Sequence, residues 1–140
     1  MRVFVDANVL VSVLNKEYPL FTYTSRIVSL ADSSAFEVFT SPVCLAIAFY
    51  FAEKKFKTAR AKQKISLLCD HIQITETNAA CVKQALQNVE VNDFEDGLQY
   101  YSAKNSHCHC IVTEDTGDFY FSSIEVLKSH DFFLKYMSKK

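Results

Sequence analysis

Glycine and proline are scarce in this chain, two of each among 140 residues. A turn-rich β sandwich or a long flexible linker uses both residues at its connections, so neither architecture suits. No uninterrupted apolar run approaches the roughly 20 residues that cross a bilayer, and the N-terminus enters a strand directly, without a charged leader. These features predict a soluble cytoplasmic protein. A one-sided charge excess is missing too. The net charge is −1, so a polyanion must be held by a local patch rather than by bulk attraction. The five cysteines, Cys44, Cys69, Cys81, Cys108 and Cys110, are odd in number and mostly embedded in periodic apolar segments. They read as small buried hydrophobes in a reducing compartment, with no disulfide framework.

Hydrophobic residues make up 49% of the chain, ample for one domain over residues 1–140 with a core on both faces of a sheet. Arg2 to Val5 reads as a strand, and Asn8 to Leu14 as a short helix capped by Asn8. Pro19 suits the first turn of a second helix, with Leu20, Thr24, Ile27, Leu30 and Ala31 at helical spacing, and Glu37 to Phe39 is a second strand. A third helix begins near Ser41-Pro42 and runs through Cys44, Leu45, Ala48, Phe49 and Ala52, and a basic helix follows to about Cys69. Ile72 to Ile74 makes a third strand. Thr75-Glu-Thr-Asn opens a helix with Cys81, Val82, Ala85 and Leu86 on its apolar face, and another helix spans Asp93 to about Asn105. Cys108 to Val112 is the fourth strand, residues 113–118 are a loop, Ile124 to Leu127 is a possible fifth strand, and His130 to Met137 is a terminal helix. This alternation predicts a three-layer α/β/α domain with a central parallel sheet of four to five strands.

Val3-Phe-Val-Asp6-Ala-Asn8 is the most telling stretch, because a buried-looking strand ends abruptly in a carboxylate and an amide. In open parallel sheets ligands collect in the crevice outside the carboxyl ends of the strands. Asp6 alone reads as a cap or turn residue. Its company changes that: Asp115 and Asp118 follow strand four, and Asp93 and Asp96 occupy the first turn of the helix leading into it, so all can converge on one edge. Clustered carboxylates near their usual pKa of about 4 repel one another, and a bound cation resolves the repulsion. Oxygen-only ligands favour Mg²⁺ or Mn²⁺ over Zn²⁺, and such ions activate water against phosphodiesters. Asp93 stands equally well as a cap or a ligand. Asp115 and Asp118 are not ranked by sequence.

Three segments carry a family resemblance: Val5-Asp6-Ala7-Asn8-Val9-Leu10, Asp93-Phe94-Glu95-Asp96-Gly97-Leu98-Gln99-Tyr100, and Ile111-Val112-Thr113-Glu114-Asp115-Thr116-Gly117-Asp118-Phe119. In this order and at these separations they resemble the PIN domain, a metal-dependent ribonuclease fold that includes the toxins of VapBC-type toxin-antitoxin systems. The resemblance covers nearly the whole chain. It implies that Asp6, Asp96 and one or both of Asp115 and Asp118 are the metal-site carboxylates, that Asn8 braces the loop, and that the Thr113 hydroxyl bonds the first aspartate or a metal-held water. Asp93 matches a position often acidic in the Asp-Phe-Glu-Asp branch, and Glu95 is expected to face solvent. One position departs: Ile47 stands where many members carry a third-helix glutamate. Glu53 lies about 9 Å further along that helix at 1.5 Å per residue, a poor substitute.

His107-Cys108-His109-Cys110 suggests zinc, yet alternate strand residues point to opposite faces and the four cannot grip one ion. A phosphatase with Asp6 as nucleophile would want an acid at position 8 and a threonine at position 10, where Asn8 and Leu10 stand. The basic run on the fourth helix, with Lys54, Lys55, Lys57, Arg60, Lys62 and Lys64, reads as a solvated face or as an RNA-backbone contact through Lys54, Lys55, Lys57 and Arg60. The aromatic clusters Phe49-Tyr50-Phe51, Tyr100-Tyr101, Phe119-Tyr120-Phe121 and Phe132-Phe133 exceed the needs of one small core. An exposed apolar groove among them would suit a homodimer or an antitoxin helix. The expectation is a Mg²⁺/Mn²⁺-dependent endoribonuclease acting on RNA as a toxin with an antitoxin partner; the alternative is a degenerate PIN-like binding module.

Overall fold

Five short parallel strands form the centre of the computed structural model, which describes residues 1–138. They are β1 (Arg2–Val5), β2 (Glu37–Thr40), β3 (Gln73–Ile74), β4 (Cys110–Val112) and β5 (Glu125–Leu127), in the order β3-β2-β1-β4-β5. Every pairing is parallel, with Val3 opposite Val38 and Cys110, and Phe4 opposite Phe39 and Ile111. Val3, Phe4 and Val5 are wholly buried, as are Cys110, Ile111 and Val112. Uninterrupted apolar strands of this kind are what a parallel sheet covered on both faces requires.

The helices are α1 (Ala7–Leu14), α2 (Phe21–Ser29), α3 (Pro42–Lys55), α4 (Thr58–Cys69), α5 (Ala79–Gln87), α6 (Phe94–Asn105) and a short α7 (Ser129–Phe132) that widens into a π turn through Met137. They flank the sheet in a three-layer α/β/α arrangement, with α1 packed on α3 and α5 on α6. Local chemistry starts them where they start. The Ser41 hydroxyl accepts from the Cys44 amide with Pro42 in the first turn, Asn78 accepts from the Cys81 amide, and the Asp93 carboxylate accepts from the Glu95 and Asp96 amides.

Several boundaries differ from the sequence reading: α2 starts at Phe21, past Pro19, β3 at Gln73, β5 at Glu125 and α7 at Ser129, and two further shifts have a clear local cause. The cap of α1 is Asp6, not Asn8: the Asp6 amide ends the β1–β4 ladder on the Val112 carbonyl, and its carboxylate accepts from the Ala7 amide, so the helix starts at once. The fourth strand begins at Cys110, not Cys108. His107 takes a left-handed φ of 61°, and the Cys108 amide is spent on the Ala103 carbonyl at the end of α6.

Gly97 shows how tightly α6 is seated. A Cβ there would lie 2.7 Å from Val91 Cγ1 and 3.0 Å from Ala85 Cβ, so only glycine lets α6 approach α5 this closely. That approach places the neighbouring Asp96 over the sheet edge. No helix of the described residues is long and apolar enough to cross a membrane.

Candidate active site

The strand order reverses between β1 and β4, since the chain builds outward from β1 to β2 and β3 on one side and through β4 to β5 on the other. Outside the carboxyl ends of strands at such a switch point, the diverging connections leave a crevice. Here it is an open pocket of about 510 Å³. Asp6 after β1, Asp115 and Asp118 after β4, and Glu95 and Asp96 on α6 line it, together with Glu17 and Glu114. Val11, Leu20, Ile47 and Phe51 form an apolar wall, and among the described residues no basic side chain lines the pocket.

Asp6 is held on both oxygens. Oδ1 accepts from the Ala7 amide at 2.8 Å and from the Cys44 thiol at 3.5 Å, and Oδ2 accepts from the Thr113 hydroxyl at 2.9 Å. Thr113, fully buried, in turn accepts from the Asn8 side-chain amide at 3.1 Å and from the Asp115 backbone amide at 3.1 Å. Asn8 also donates to Asp115 Oδ2 at 3.2 Å and accepts from the Glu114 amide at 3.2 Å. One hydroxyl and one amide thus tie the end of β1 to the loop after β4, a register the β1–β4 pairing dictates. By contrast, no hydrogen bond among the described residues holds the carboxylate of Asp96 or of Asp118.

The electrostatics are lopsided. Burial, followed by the charges of Asp93, Asp118, Asp6 and Glu95, pushes the Asp96 carboxyl up to about 7. Burial also raises Asp6, against the hydrogen bonds from Ala7, Thr113 and Cys44 and with the help of Asp115. Glu95 rises for the same first reason, then through Asp93 and Asp6. With no lysine, arginine or histidine in the pocket to offset these charges, the donor set suits a hard divalent cation that takes oxygen ligands. Among the described residues no three such side chains enclose an ion as they stand.

The residues singled out by sequence fall into two groups. Asp6, Asn8, Asp96, Asp115 and Asp118 line the pocket, and Thr113 lies directly beneath them. Asp93 does not line it and serves as the cap of α6. Lys54, Lys55, Lys57 and Arg60 are all outside it. Ile47 faces the pocket, whereas Glu53 accepts from the Thr58 hydroxyl elsewhere. Cys108 and Cys110 are core residues, and His109 Nδ1 accepts from the Arg2 amide.

Three features escaped the sequence. Glu95, although exposed, sits on the pocket rim instead of facing bulk solvent alone, and Glu17 joins the lining from the loop after α1. Cys44 looked like one more core thiol; its position three residues after the Ser41 cap, in the helix turn beside the end of β1, is the signal that pointed to Asp6.

A sequence profile of the PIN domain matches residues 2–117. Ribonuclease VapC1 of Aquifex aeolicus (strain VF5) is 29% identical over 135 residues, covering 94% of this chain and 92% of its own. Among solved structures, VapBC2 from Rickettsia felis, bound to a DNA fragment from its promoter, aligns with a TM-score of 0.70 at 19% identity over 91% of this chain and 98% of that one. VapC20 of Mycobacterium tuberculosis, a toxin that cleaves the sarcin-ricin loop, aligns at 0.65 with 16% identity over 88% and 98%. The structural likenesses speak for the fold. Joined to a profile that runs from β1 through the loop carrying Thr113 and Asp115, they agree with the site geometry: this chain belongs to the PIN domain family.

Proposed function

We propose that the protein is a Mg²⁺- or Mn²⁺-dependent endoribonuclease that hydrolyses RNA phosphodiester bonds, and that it is the toxin of a toxin-antitoxin pair. The observation that carries this is a switch-point pocket lined by seven acids and no base, with Asp6 pinned from both sides. Its similarity to a ribonuclease along nearly the full length of both chains supports the reaction class.

Asp6, Asp96, Asp115 and Asp118 would hold the cation, which supplies water activation and neutralises charge developing on the scissile phosphate. Thr113, Ala7 and Cys44 orient the Asp6 carboxylate, and Asn8 keeps the Asp115 loop against it. Asp96, whose carboxyl is pushed up to about 7 by burial and then by neighbouring acids, would give up any proton on becoming a ligand. Ile47 and its apolar neighbours exclude water from one side of the pocket. That same wall would accept apolar residues of an antitoxin, and a homodimer is expected from the surplus of exposed aromatics. The Rickettsia felis neighbour is a VapBC assembly, in keeping with such a partner.

Ile47 favours a second reading. It lines the pocket at the position where the family resemblance implies a glutamate, so the chain would be a binding module with a weakened metal site. Incubating a panel of structured RNAs with purified protein in Mn²⁺, Mg²⁺ or EDTA separates the two. Metal-dependent cutting lost in Asp6→Asn and Asp96→Asn supports the nuclease. Inert wild type that also fails to bind Mn²⁺ by calorimetry supports the module.

A further inference from the structure

A pocket lined by seven acids repels a polyanion, so affinity for an RNA strand must come from beside it. Its apolar wall ends on α3 at Phe51, 43% exposed, next to Tyr50, 54% exposed. Their rings stand edge to face with centroids 5.3 Å apart. Lys54 Nζ lies 4.3 Å from the Tyr50 centroid and 5.7 Å from that of Phe51. Just beyond, exposed Lys57 caps α4 and exposed Arg60 lies in its first turn. Among the described residues, Lys54, Lys57 and Arg60 form no salt bridge; the neighbouring acid, Glu53, is turned to the Thr58 hydroxyl.

Two lysines of the basic run have structural work. Lys55 Nζ donates to the Asn15 carbonyl at 2.6 Å and Lys64 Nζ to the Leu14 carbonyl at 3.3 Å, closing the C-terminus of α1. Both also stand over the Phe56 ring, and the Arg60 guanidinium lies 5.5 Å from the same centroid. The three-dimensional arrangement therefore divides one charge run of six into two inward lysines and four exposed cations, of which Lys54 lies over a pair of exposed rings.

We infer that Tyr50, Phe51, Lys54, Lys57 and Arg60 form a single-stranded RNA subsite that leads the strand into the carboxylate pocket. Bases stack on the two rings, whose faces tolerate any base, and the cations hold the phosphates between them. A protein laid on this surface would need an apolar face plus acids matched to three separate cations. A nucleic acid strand brings a negative charge and a flat ring with every residue. The subsite shares the nuclease reading's premise that RNA is the substrate, but its test needs no catalysis.

The test is fluorescence anisotropy of a labelled single-stranded RNA of about 10 nucleotides, within the span a small stacking platform covers, at low salt in EDTA so that nothing is cut. Tyr50→Ala should weaken binding about ten-fold while Tyr50→Phe keeps it, as expected for loss of one stacked base. Lys54→Ala and Arg60→Ala should each weaken it a few-fold and flatten the dependence of log affinity on log salt by about 0.7 per lost phosphate contact. Lys83→Ala, an exposed lysine on α5, should change neither. Unchanged affinity in both Tyr50→Ala and Lys54→Ala, or no binding by wild type, refutes the subsite and leaves the surface to a protein partner. Wild type that binds through these residues yet cuts nothing in Mn²⁺ would sink the nuclease reading and leave the subsite standing.

Discussion

Replacing Asp96 with asparagine should make the protein more stable at pH 8 while taking a carboxylate from the proposed metal site. In the folded chain the Asp96 carboxyl titrates near 7, raised first by burial and then by four neighbouring acids, against an ordinary 3.8. The folded state thus binds this proton more tightly than the unfolded state. Stability is lost as pH rises from about 4 through 7, and the cost is complete above 7. At about 1.36 kcal/mol per pH unit the full shift would cost roughly 4 kcal/mol. Asp96 is partly open to water, and screening brings that to about 2 kcal/mol. Asparagine has the same shape and no charge. Thermal unfolding in EDTA should therefore show Asp96→Asn melting about 5 °C above wild type at pH 8 and level with it at pH 4. Adding Mn²⁺ at pH 8 should raise the wild-type midpoint and leave the variant where it was. If Asp96→Asn is no more stable than wild type at pH 8 without metal, the account of a carboxylate destabilised by burial and by its acidic neighbours is wrong.

Thr113→Val keeps the shape of a buried side chain but strips a donor from Asp6 and an acceptor from Asn8 and the Asp115 amide; denaturant melts should show a loss of about 2–3 kcal/mol. Gly97→Ala forces a methyl against Val91 and Ala85. Overpacking of about 1–3 kcal/mol, partly offset by better helix propensity, should lower the urea midpoint, and an unchanged midpoint would mean α6 is not held as closely as described. Ile47→Glu adds a carboxylate to the pocket. Calorimetry should show Mn²⁺ bound at least ten-fold more tightly, and an affinity equal to wild type would mean that this position does not reach the ion.

The strands and the order of the layers were legible because they depend on short-range pattern. Val3-Phe-Val and Cys110-Ile-Val can only be covered on both faces, and Ser41-Pro42 and Asp93 announce helix starts. The convergence of Asp6, Asp96, Asp115 and Asp118 was legible too, because a parallel sheet sends every strand's end to one edge. What the sequence concealed depends on which residues meet across space. Asn8 resembles a cap until the loop after β4 arrives to claim its amide, leaving the capping to Asp6. Lys55 and Lys64 share a charge run with Lys54 and Arg60, and only the packing of α1 against α3 turns the first two inward. Cys44 differs from other buried thiols solely in the carboxylate it faces.

The contrast between the tied and the untied carboxylates has a consequence for ion choice. Asp6, Asn8, Thr113 and the Asp115 loop make one cross-braced block, while Asp96 and Asp118 project from other turns with nothing holding their oxygens. Holding a cation as proposed, such a site would work like a vice with one fixed jaw. An ion of different radius, or one demanding stricter octahedral placement, would be met by sliding the free jaw, at no cost to the brace. Discrimination between Mg²⁺ and Mn²⁺ should then be weak, and substitutions that tune it should gather on α6 and the turn carrying Asp118, leaving the β1–β4 corner as it is.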